Sequence, residues 1–308
     1  MEVKQNRERF RCNYQRVAVL SDIHSNVWAL KACLTDAQKA GADCFVFLGD
    51  YVSGLSAPTQ TMDLIYALRE QYPTCCIRGN RERYMMDHRD GVQVCVPGSR
   101  TGSLLYTYRQ LREKDLALFT ALPYYDVIEI NGVVLEIAHA TKEQDRYLFE
   151  KGDDKIAGVI AQMEADYLLC GHSHIQYRYR ERGKTVLNPG SVGQPQGADY
   201  RAQYLLLEVG NGTVSCDFRL VDYDVEPMVR DQFQSGLVEL GRYWAISDLY
   251  GALTGQKCTR MLLEKMYAFA DPDALQDEQL WHAAAVSLGM RFTEEEILLS
   301  YQKRFIDT

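Results

Sequence analysis

Asp22 and His24 are separated by one residue and follow a short apolar run, and together they could bind one metal ion. The run, residues 17–20, is partly β-branched and polar residues follow it, which predicts a buried strand that gives way to a loop. Active sites of α/β proteins lie at such strand ends. Side chains two residues apart on an extended segment point to the same side. The sequence therefore predicts a carboxylate and an imidazole within reach of one cation.

Four further predicted strands also end in residues that can bind metals. These strands cover residues 44–48, 75–78, 133–138 and 167–170. A single Asp-x-His motif occurs by chance in many chains and would indicate only a polar loop. Strands that all deliver oxygen or nitrogen ligands at the same end indicate a shared site. The seven candidate ligands are Asp22, His24, Asp50, Asn80, His139, His172 and His174.

This set of ligands is too large for one tetrahedral ion and suits two ions of higher coordination. One aspartate would then bridge the two ions. Two ions roughly 3.5–4 Å apart can activate a shared water as hydroxide and hold phosphate oxygens during an in-line displacement. The ligand types fit Mn, Fe, Ni or Zn, as two divalent or trivalent transition-metal ions. We therefore expect an anionic phosphate ester as the substrate.

The composition excludes several other classes of protein. The 308 residues are 46% hydrophobic and 25% charged, which predicts a globular protein with a sizeable core. A formal net charge of −8 argues against a nucleic-acid-binding surface. The chain shows no signal-peptide pattern and no membrane span, so we expect a cytoplasmic protein. The nine cysteines form no Cys-x-x-Cys pair, which predicts buried reduced thiols and argues against a thiolate zinc site.

The elements that position the candidate ligands predict an α/β fold. Strands and helices alternate in the first half, while Asn131-Gly132 and Asn211-Gly212 predict hairpins in the second. The strand patterns stop near Asp222. We predict a solvated tail over residues 1–15, a catalytic domain over 16–224 and a helical domain over 225–308. The predicted C-terminal helices cover residues 229–240, 243–253, 258–269, 274–288 and 294–305.

The motifs together resemble those of the calcineurin-like metallophosphoesterase superfamily. The matching motifs span roughly residues 16–200 and are Asp22-Ile-His24, Gly49-Asp50, Gly79-Asn80 with Glu82, His139, and Gly171-His-Ser-His174. The segments 21–26 and 188–191 are similar to the small bacterial phosphodiesterase branch. The resemblance implies two mixed β-sheets packed as a sandwich and flanked by helices, with the C-terminal helical region added to this fold.

The resemblance also implies a role for each ligand and a reaction. Asp22, His24 and His174 would bind the first metal, and Asp50 would bridge. The second metal would be bound by Asn80, His139 and His172. The implied reaction is hydrolysis of a phosphodiester or phosphomonoester by in-line attack of the metal-bridging hydroxide.

One position departs from the family pattern. Many relatives have a histidine after the Gly-Asn pair that is thought to protonate the leaving group, and this chain has Arg81. Arginine stays charged and cannot act as a general acid, but it can hold a phosphate oxygen or stabilise a developing alkoxide. Glu82 is open to two interpretations, an acid in the first turn of a helix or a partner of Arg81. We predict Asp50, Asn80, Arg81 and Glu82 as the catalytic residues.

Two alternatives stay open at this point. Among enzymes, the chain could be a dinucleoside polyphosphate hydrolase or a phosphoprotein phosphatase. A different class, a metal-stabilised binding or scaffold protein with weak catalysis, is compatible with the Arg81 departure. The expected partner is a small phosphate ester or nucleotide, without membrane or nucleic acid, and the C-terminal helices could form a homo-oligomer.

Overall fold

The computed structural model of the chain describes residues 10–146, 155–197, 200–210, 212–268 and 277–306. Within these residues the chain forms eleven strands and twelve helices. The strands are β1 (Arg11–Cys12), β2 (Arg16–Leu20), β3 (Cys44–Phe47), β4 (Thr74–Cys76), β5 (Tyr125–Ile130), β6 (Val133–Ala138), β7 (Tyr167–Cys170), β8 (Gln176–Glu181), β9 (Lys184–Pro189), β10 (Ala202–Gly210) and β11 (Thr213–Val221). The helices are α1 (Val27–Lys39), α2 (Pro58–Gln71), α3 (Asn80–Arg89), α4 (Gly102–Gln110), α5 (Glu113–Ala121), α6 (Lys155–Gln162), α7 (Glu226–Gln234), α8 (Leu237–Gly241), α9 (Tyr243–Thr254), α10 (Cys258–Tyr267), α11 (Glu278–Ser287) and α12 (Glu294–Ile306).

Strand β2 lies at the centre of the first sheet, whose order is β11-β10-β2-β3-β4. It pairs in parallel with β3 and antiparallel with β10. Ala18 and Leu20 pack into the core formed with α1 and α2, while Val17 and Val19 pack into the core between the two sheets. Both faces of the strand are therefore buried, which explains why its sequence is an unbroken apolar run.

The second sheet has the order β1-β5-β6-β7-β9-β8 and also mixes parallel and antiparallel pairs. Leu135, Ile137 and Leu169 face the first sheet. Ile156 and Ile160 of α6 cover the outer face. The predicted sandwich of two mixed sheets flanked by helices is confirmed.

The predicted hairpin between β5 and β6 turns at Asn131 and Gly132. Both residues have positive φ, 47° and 80°, a conformation that asparagine and glycine adopt more readily than other residues. In the second predicted hairpin, β10 and β11 pair up to Gly210 and Thr213, while Asn211 lies outside the described residues.

The N-terminal segment differs in part from the predicted solvated tail. Arg11 and Cys12 pair in parallel with Glu129 and Ile130 and form the edge strand of the second sheet. Two main-chain pairs suffice for this contact, and a segment of two residues has no apolar periodicity that the sequence could show. Residues 1–9 lie outside the described part of the chain.

The C-terminal helices follow the predicted pattern except at the first one. The predicted helix over residues 229–240 is two helices, α7 and α8, because Gly236 between them has a φ of 87°. The ends of the predicted helices 258–269 and 274–288 fall partly outside the described residues. Apolar residues of these helices share one core with Leu55, which lies in the loop after β3. The helices therefore pack directly beside the strand ends, and a division into separate domains at residue 225 stays a prediction.

Two further predictions concern cysteines and membranes. All nine cysteines are free thiols, and six of them are buried. Among the described residues, no helix combines the length and apolarity that crossing a membrane requires.

Candidate metal centre

The loop after β2 brings Asp22 and His24 together by a route that the sequence did not indicate. The strand ends at Leu20, and Asp22 and His24 have left-handed backbone conformations with φ of 55° and 51°. The backbone N–H of Asp22 donates to the carbonyl of Gly49 at 3.1 Å, and that of His24 donates to the carbonyl of Asp50 at 3.0 Å. The expectation of an extended segment with period-two side chains is therefore wrong, although the two residues do converge.

Glycines next to the ligands allow the strand-end loops to approach closely. A Cβ atom at Gly79 would lie 2.2 Å from Oδ1 of Asp50. A Cβ atom at Gly171 would lie 2.0 Å from the hydroxyl of Ser21. Glycine is therefore required at these two positions of the motifs for steric reasons.

The first group of candidate ligands is Asp22, His24 and His174. Oδ1 of Asp22 lies 3.8 Å from Nε2 of His24 and 3.2 Å from Nε2 of His174. The two imidazole nitrogens are 3.1 Å apart. The other carboxylate oxygen, Oδ2, accepts hydrogen bonds from the Ser21 hydroxyl at 2.6 Å and from the His172 backbone at 2.9 Å. Anchoring one oxygen of Asp22 leaves the other aimed at the two imidazoles.

The second group is Asp50, His139 and His172, with Asn80 beside it. Nε2 of His139 lies 3.4 Å from Oδ2 of Asp50 and 3.2 Å from the amide oxygen of Asn80. Oδ2 of Asp50 is also 3.7 Å from Nε2 of His24 in the first group. Asp50 thus lies between the two groups, whereas Oδ1 of Asp22 approaches the second group less closely, at 4.0 Å from Nε2 of His139.

Hydrogen bonds to carbonyl groups fix the orientation of three imidazoles. Nδ1 of His24, His139 and His174 lies 3.2, 2.7 and 2.7 Å from the carbonyl oxygens of Ser53, Leu48 and Gln194, respectively. A carbonyl only accepts, so each Nδ1 carries a proton, and Nε2 is the nitrogen left to bind an ion in the site.

Two buried polar atoms indicate that the site fits metal ions. Among the described residues, Oδ1 of Asp22 and Nδ1 of His172 are buried without a hydrogen-bond partner. A buried polar atom without a partner is costly in a folded protein, and a cation bound at each ligand group would satisfy these atoms. His172 would accordingly bind through Nδ1, whereas the other three histidines present Nε2.

Burial and mutual contacts shift the pKa values within the centre. Burial acts to raise the pKa of Asp50, but the charge of His139 outweighs it and holds that pKa below its usual range. Burial acts to lower the pKa of His139, but the carboxylate of Asp50 outweighs it and raises that pKa to about 10. Burial and then the charge of His139 lower the pKa of His172 to about 4, which keeps this imidazole neutral. In the metal-free protein, an imidazolium at His139 therefore balances the carboxylate of Asp50.

Glu82 lies in the first turn of α3, which agrees with one of the two interpretations, and it also binds backbone groups of two loops. Its Oε2 accepts the backbone N–H groups of Asp50 and Gly79, at 2.9 and 2.7 Å, and its Oε1 accepts that of Tyr51 at 2.8 Å. The side chain is fully buried and does not pair with Arg81. The sequence feature that could have indicated this role is a glutamate three residues after Gly79, the N-cap residue of α3, which is the spacing of a capping box.

Arg81 lies at the edge of the centre. Its Nε is 3.9 Å from Oδ2 of Asp50 and has no hydrogen-bond partner among the described residues. Its backbone N–H donates to Oδ1 of Asp50 at 2.8 Å. The guanidinium group is thus poised beside the carboxylate that lies between the two ligand groups.

A cavity of about 400 Å³ opens onto the centre, and sequence reasoning missed part of its wall. Besides predicted ligands and Arg81, the lining includes Arg146 and residues of α9 and α10, among them Asp248, Lys257 and Arg260. No motif marks these residues, because Arg146 lies in the segment between β6 and α6 and the others come from a region whose pattern predicted only helices. The two histidines outside the motifs, His88 and His282, pack against the rings of Tyr108 and Phe292, each at 4.5 Å between centroids.

Comparison with known proteins identifies the family. The model of the calcineurin-like phosphoesterase superfamily domain matches residues 16–212. The chain belongs to the calcineurin-like phosphoesterase superfamily. This is a family of phosphoesterases that typically bind divalent metals, and the chain has two groups of candidate metal ligands.

Individual proteins are similar to the chain in sequence or in fold. An uncharacterized protein of Methanocaldococcus jannaschii is 27% identical over 257 residues, which cover 73% of this chain and 98% of the relative. A metallophosphoesterase from Sphaerobacter thermophilus has a similar structure, with a TM-score of 0.64 at 20% identity, over 78% of this chain and 100% of that one. A hypothetical protein from Pyrococcus horikoshii gives 0.66 at 20% identity, over 79% and 99% of the two chains. At this identity the two structures support the shared fold.

Proposed function

We propose that the chain is a phosphoesterase that uses two metal ions to hydrolyse a phosphodiester or phosphomonoester. The observation that carries the proposal is the position of Asp50. Its Oδ2 lies 3.7 Å from Nε2 of His24 and 3.4 Å from Nε2 of His139, so it can serve both ligand groups. Two bound ions would supply an activated water and a clamp on the phosphate oxygens.

The side chains that would bind the two ions form two sets that share one carboxylate. Asp22, His24 and His174 form one set of ligands, and Asn80, His139 and His172 form the other, with Asp50 shared. The carbonyl groups behind three of the imidazoles hold the rings in place. Rigid donors that need no rearrangement favour both metal binding and catalysis.

Arg81 acts on the substrate in this proposal. A guanidinium with an unpartnered Nε beside Asp50 can donate to an oxygen of the phosphate ester. It cannot protonate the leaving group near neutral pH. Glu82 acts only through the backbone N–H groups that it accepts, and is a positioning residue.

The complete set of ligands favours an enzyme over a scaffold protein. Seven side chains from five strand ends converge, and two of their polar atoms have no other partner among the described residues. A protein that had lost catalysis would be expected to have lost some of these ligands, and all seven are present. Similarity of residues 21–26 and 188–191 to the small bacterial phosphodiesterases favours a diester as the first substrate to test.

The experiment is a turnover assay on protein reconstituted with Mn²⁺. Bis-p-nitrophenyl phosphate and p-nitrophenyl phosphate serve as the diester and the monoester. We expect hydrolysis of at least one of them, and its loss in His139→Asn at equal protein concentration. His88→Asn is the matched control, because His88 lies outside the centre and packs on Tyr108. Absence of turnover in fully metal-loaded wild type would contradict the proposal.

A further inference from the structure

The cavity beside the metal centre has more positive charge than the binding of one phosphate requires. Its lining contains four basic side chains: Arg81, Arg146, Lys257 and Arg260. Arg81 lies within 3.9 Å of Asp50, so it belongs to the centre itself. Arg146 lies in the segment after β6, beyond His139, while Lys257 and Arg260 lie at the start of α10, which carries none of the predicted ligands. They form a second cationic surface in the same cavity.

Hydrogen bonds fix this surface relative to the metal ligands. Nδ1–H of His174 donates to the carbonyl of Gln194 at 2.7 Å, and the amide of Gln194 contacts the carbonyl of Asp248 on α9 at 3.5 Å. The backbone N–H of Gly197 donates to the carbonyl of Gly255, which ends α9, at 3.0 Å. The loop that orients a ligand histidine is thus joined to the helix pair that carries Lys257 and Arg260.

The carboxylate within this surface is already engaged. Asp248 accepts a hydrogen bond from the hydroxyl of Thr259 at 3.0 Å, which ties α9 to the first turn of α10. Burial raises the pKa of Asp248. Among the described residues that line the cavity, it is the one carboxylate beyond the predicted ligands. The surface therefore retains a net positive charge when Asp248 is counted.

Lys257 and Arg146 can reach a ligand in the cavity, and Arg260 adds its charge at the exposed start of α10. Lys257 forms no ion pair with any residue that the structure describes. Arg260 pairs with Glu264 one turn along α10, a solvent-exposed contact that contributes little free energy. Arg146 stacks over the ring of Tyr84 at 5.4 Å, which leaves the edge of its guanidinium group for hydrogen bonds.

We propose that Arg146, Lys257 and Arg260 bind a second phosphoryl group of the substrate, distinct from the one held at the metal ligands. The substrate is then a small molecule that carries at least two phosphoryl groups. This inference rests on the proposed function, because the metal centre is taken to hold the first group. A cavity of about 400 Å³ has the size of a small-ligand site, and the net charge of −8 disfavours a long polyanion.

The test uses inhibitors of graded length against hydrolysis of p-nitrophenyl phosphate or its diester by the Mn²⁺ enzyme. Alkanediol bisphosphates of increasing chain length are compared with the alkyl monophosphates of the same length and with ω-carboxyalkyl phosphates. We expect the bisphosphate of the best length to bind about tenfold more tightly than its monophosphate, the effect of one added charge-assisted contact. Calorimetric titration of the same ligands into the metal-loaded protein measures affinity without turnover.

Variants locate the effect on the chain. Lys257→Gln and Arg260→Gln should each remove most of the advantage of the bisphosphate while leaving the affinity for the monophosphate unchanged. Lys265→Gln is the matched control, because Lys265 is exposed on the same helix and does not line the cavity. Each of these exposed or half-buried positions tolerates glutamine in a helix or at its start.

The outcomes separate the two proposals. Equal affinity for bisphosphates and monophosphates, in an enzyme that hydrolyses the nitrophenyl ester, would overturn the second site and leave the proposed function intact. If Lys265→Gln lost the advantage of the bisphosphate to the same extent, the second site would also be overturned. The advantage would then come from the overall positive charge of this region and not from contacts in the cavity. Equal binding of the carboxyalkyl phosphates would refute the phosphoryl assignment. If no ester is hydrolysed, the proposed function fails, and the calorimetric comparison still decides on the second site.

Discussion

The carboxylate of Glu82 accepts a hydrogen bond from the backbone N–H of Asp50 at 2.9 Å. A buried side chain outside both sets of candidate metal ligands thus fixes the position of Asp50, the carboxylate proposed to bridge the two ions. The same carboxylate accepts the N–H groups of Tyr51 and Gly79. It therefore joins the loop after β3 to the start of α3. Burial and then the charge of Asp50 raise the pKa of Glu82 to about 7.

Glu82→Gln should destabilise the protein and weaken metal binding. The amide NH₂ group of glutamine would face backbone N–H groups that now have an acceptor, so at least one buried donor would lose its partner. The expected loss is about 1–3 kcal/mol of the free energy of unfolding, together with roughly 10–100-fold in metal affinity. Thermal unfolding and metal titration measure the two effects. Glu70→Gln, an exposed position on α2, is the control, and unchanged values in Glu82→Gln would show that the carboxylate is dispensable.

Asp50→Asn should reduce metal content more than the loss of a ligand that serves one group. Oδ2 of Asp50 lies between both groups, whereas His174 contacts the first. We expect elemental analysis to find less than one ion per chain in Asp50→Asn and about one in His174→Asn, against two in wild type. Two retained ions and near-native turnover in Asp50→Asn would refute the bridging assignment.

The stability of the metal-free protein should fall as the pH rises above neutrality. The pKa of His139 is raised from 6.5 to about 10, since burial, which lowers it, is outweighed by Asp50. A folded-state pKa above the unfolded value stabilises the protein fully below about pH 6.5, and this stabilisation is lost as the pH rises through about 10. Melting temperatures of chelator-treated protein should drop by several degrees across this range. His139→Asn should show a smaller drop, and an equal drop in both proteins would contradict the role of His139.

Arg81→Gln should weaken the binding of anionic substrates without changing how the rate depends on the leaving group. The guanidinium supplies charge and hydrogen bonds but no proton, so wild-type rates should fall steeply as the pKa of the leaving group rises. We expect kcat/KM of Arg81→Gln to be about tenfold below that of wild type for each member of a series of aryl phosphates. The slope of the rate against the pKa of the leaving group should then be the same in both proteins. Arg81→Lys, which keeps the positive charge, should show a smaller decrease in kcat/KM than Arg81→Gln. A slope that changes in Arg81→Gln would show that residue 81 acts on the leaving group and not on the phosphate oxygens alone.

The candidate ligands could be located from the sequence because strands of apolar residues end in glycine, aspartate, asparagine or histidine. The geometry that unites them could not be predicted, since it depends on left-handed backbone at Asp22, His24 and Asp50. The backbone contacts of Glu82 and the cationic wall from α10 were also missed. Both depend on contacts between segments that lie far apart in the chain, and a single sequence carries no periodic signal for such contacts.

The two sheets contribute to each ligand group, and this gives bound ions a mechanical role. Asp22 and His24 follow β2 of the first sheet, while His174 follows β7 of the second. In the other group, Asp50 follows β3 and His139 follows β6. Each ion would thus act as a cross-link through the seam of the sandwich, tying together halves that otherwise adhere through apolar contact. Separation of the two sheets during unfolding would first require release of the metal ions. The lifetime of the folded chain would therefore depend on the concentration of free metal.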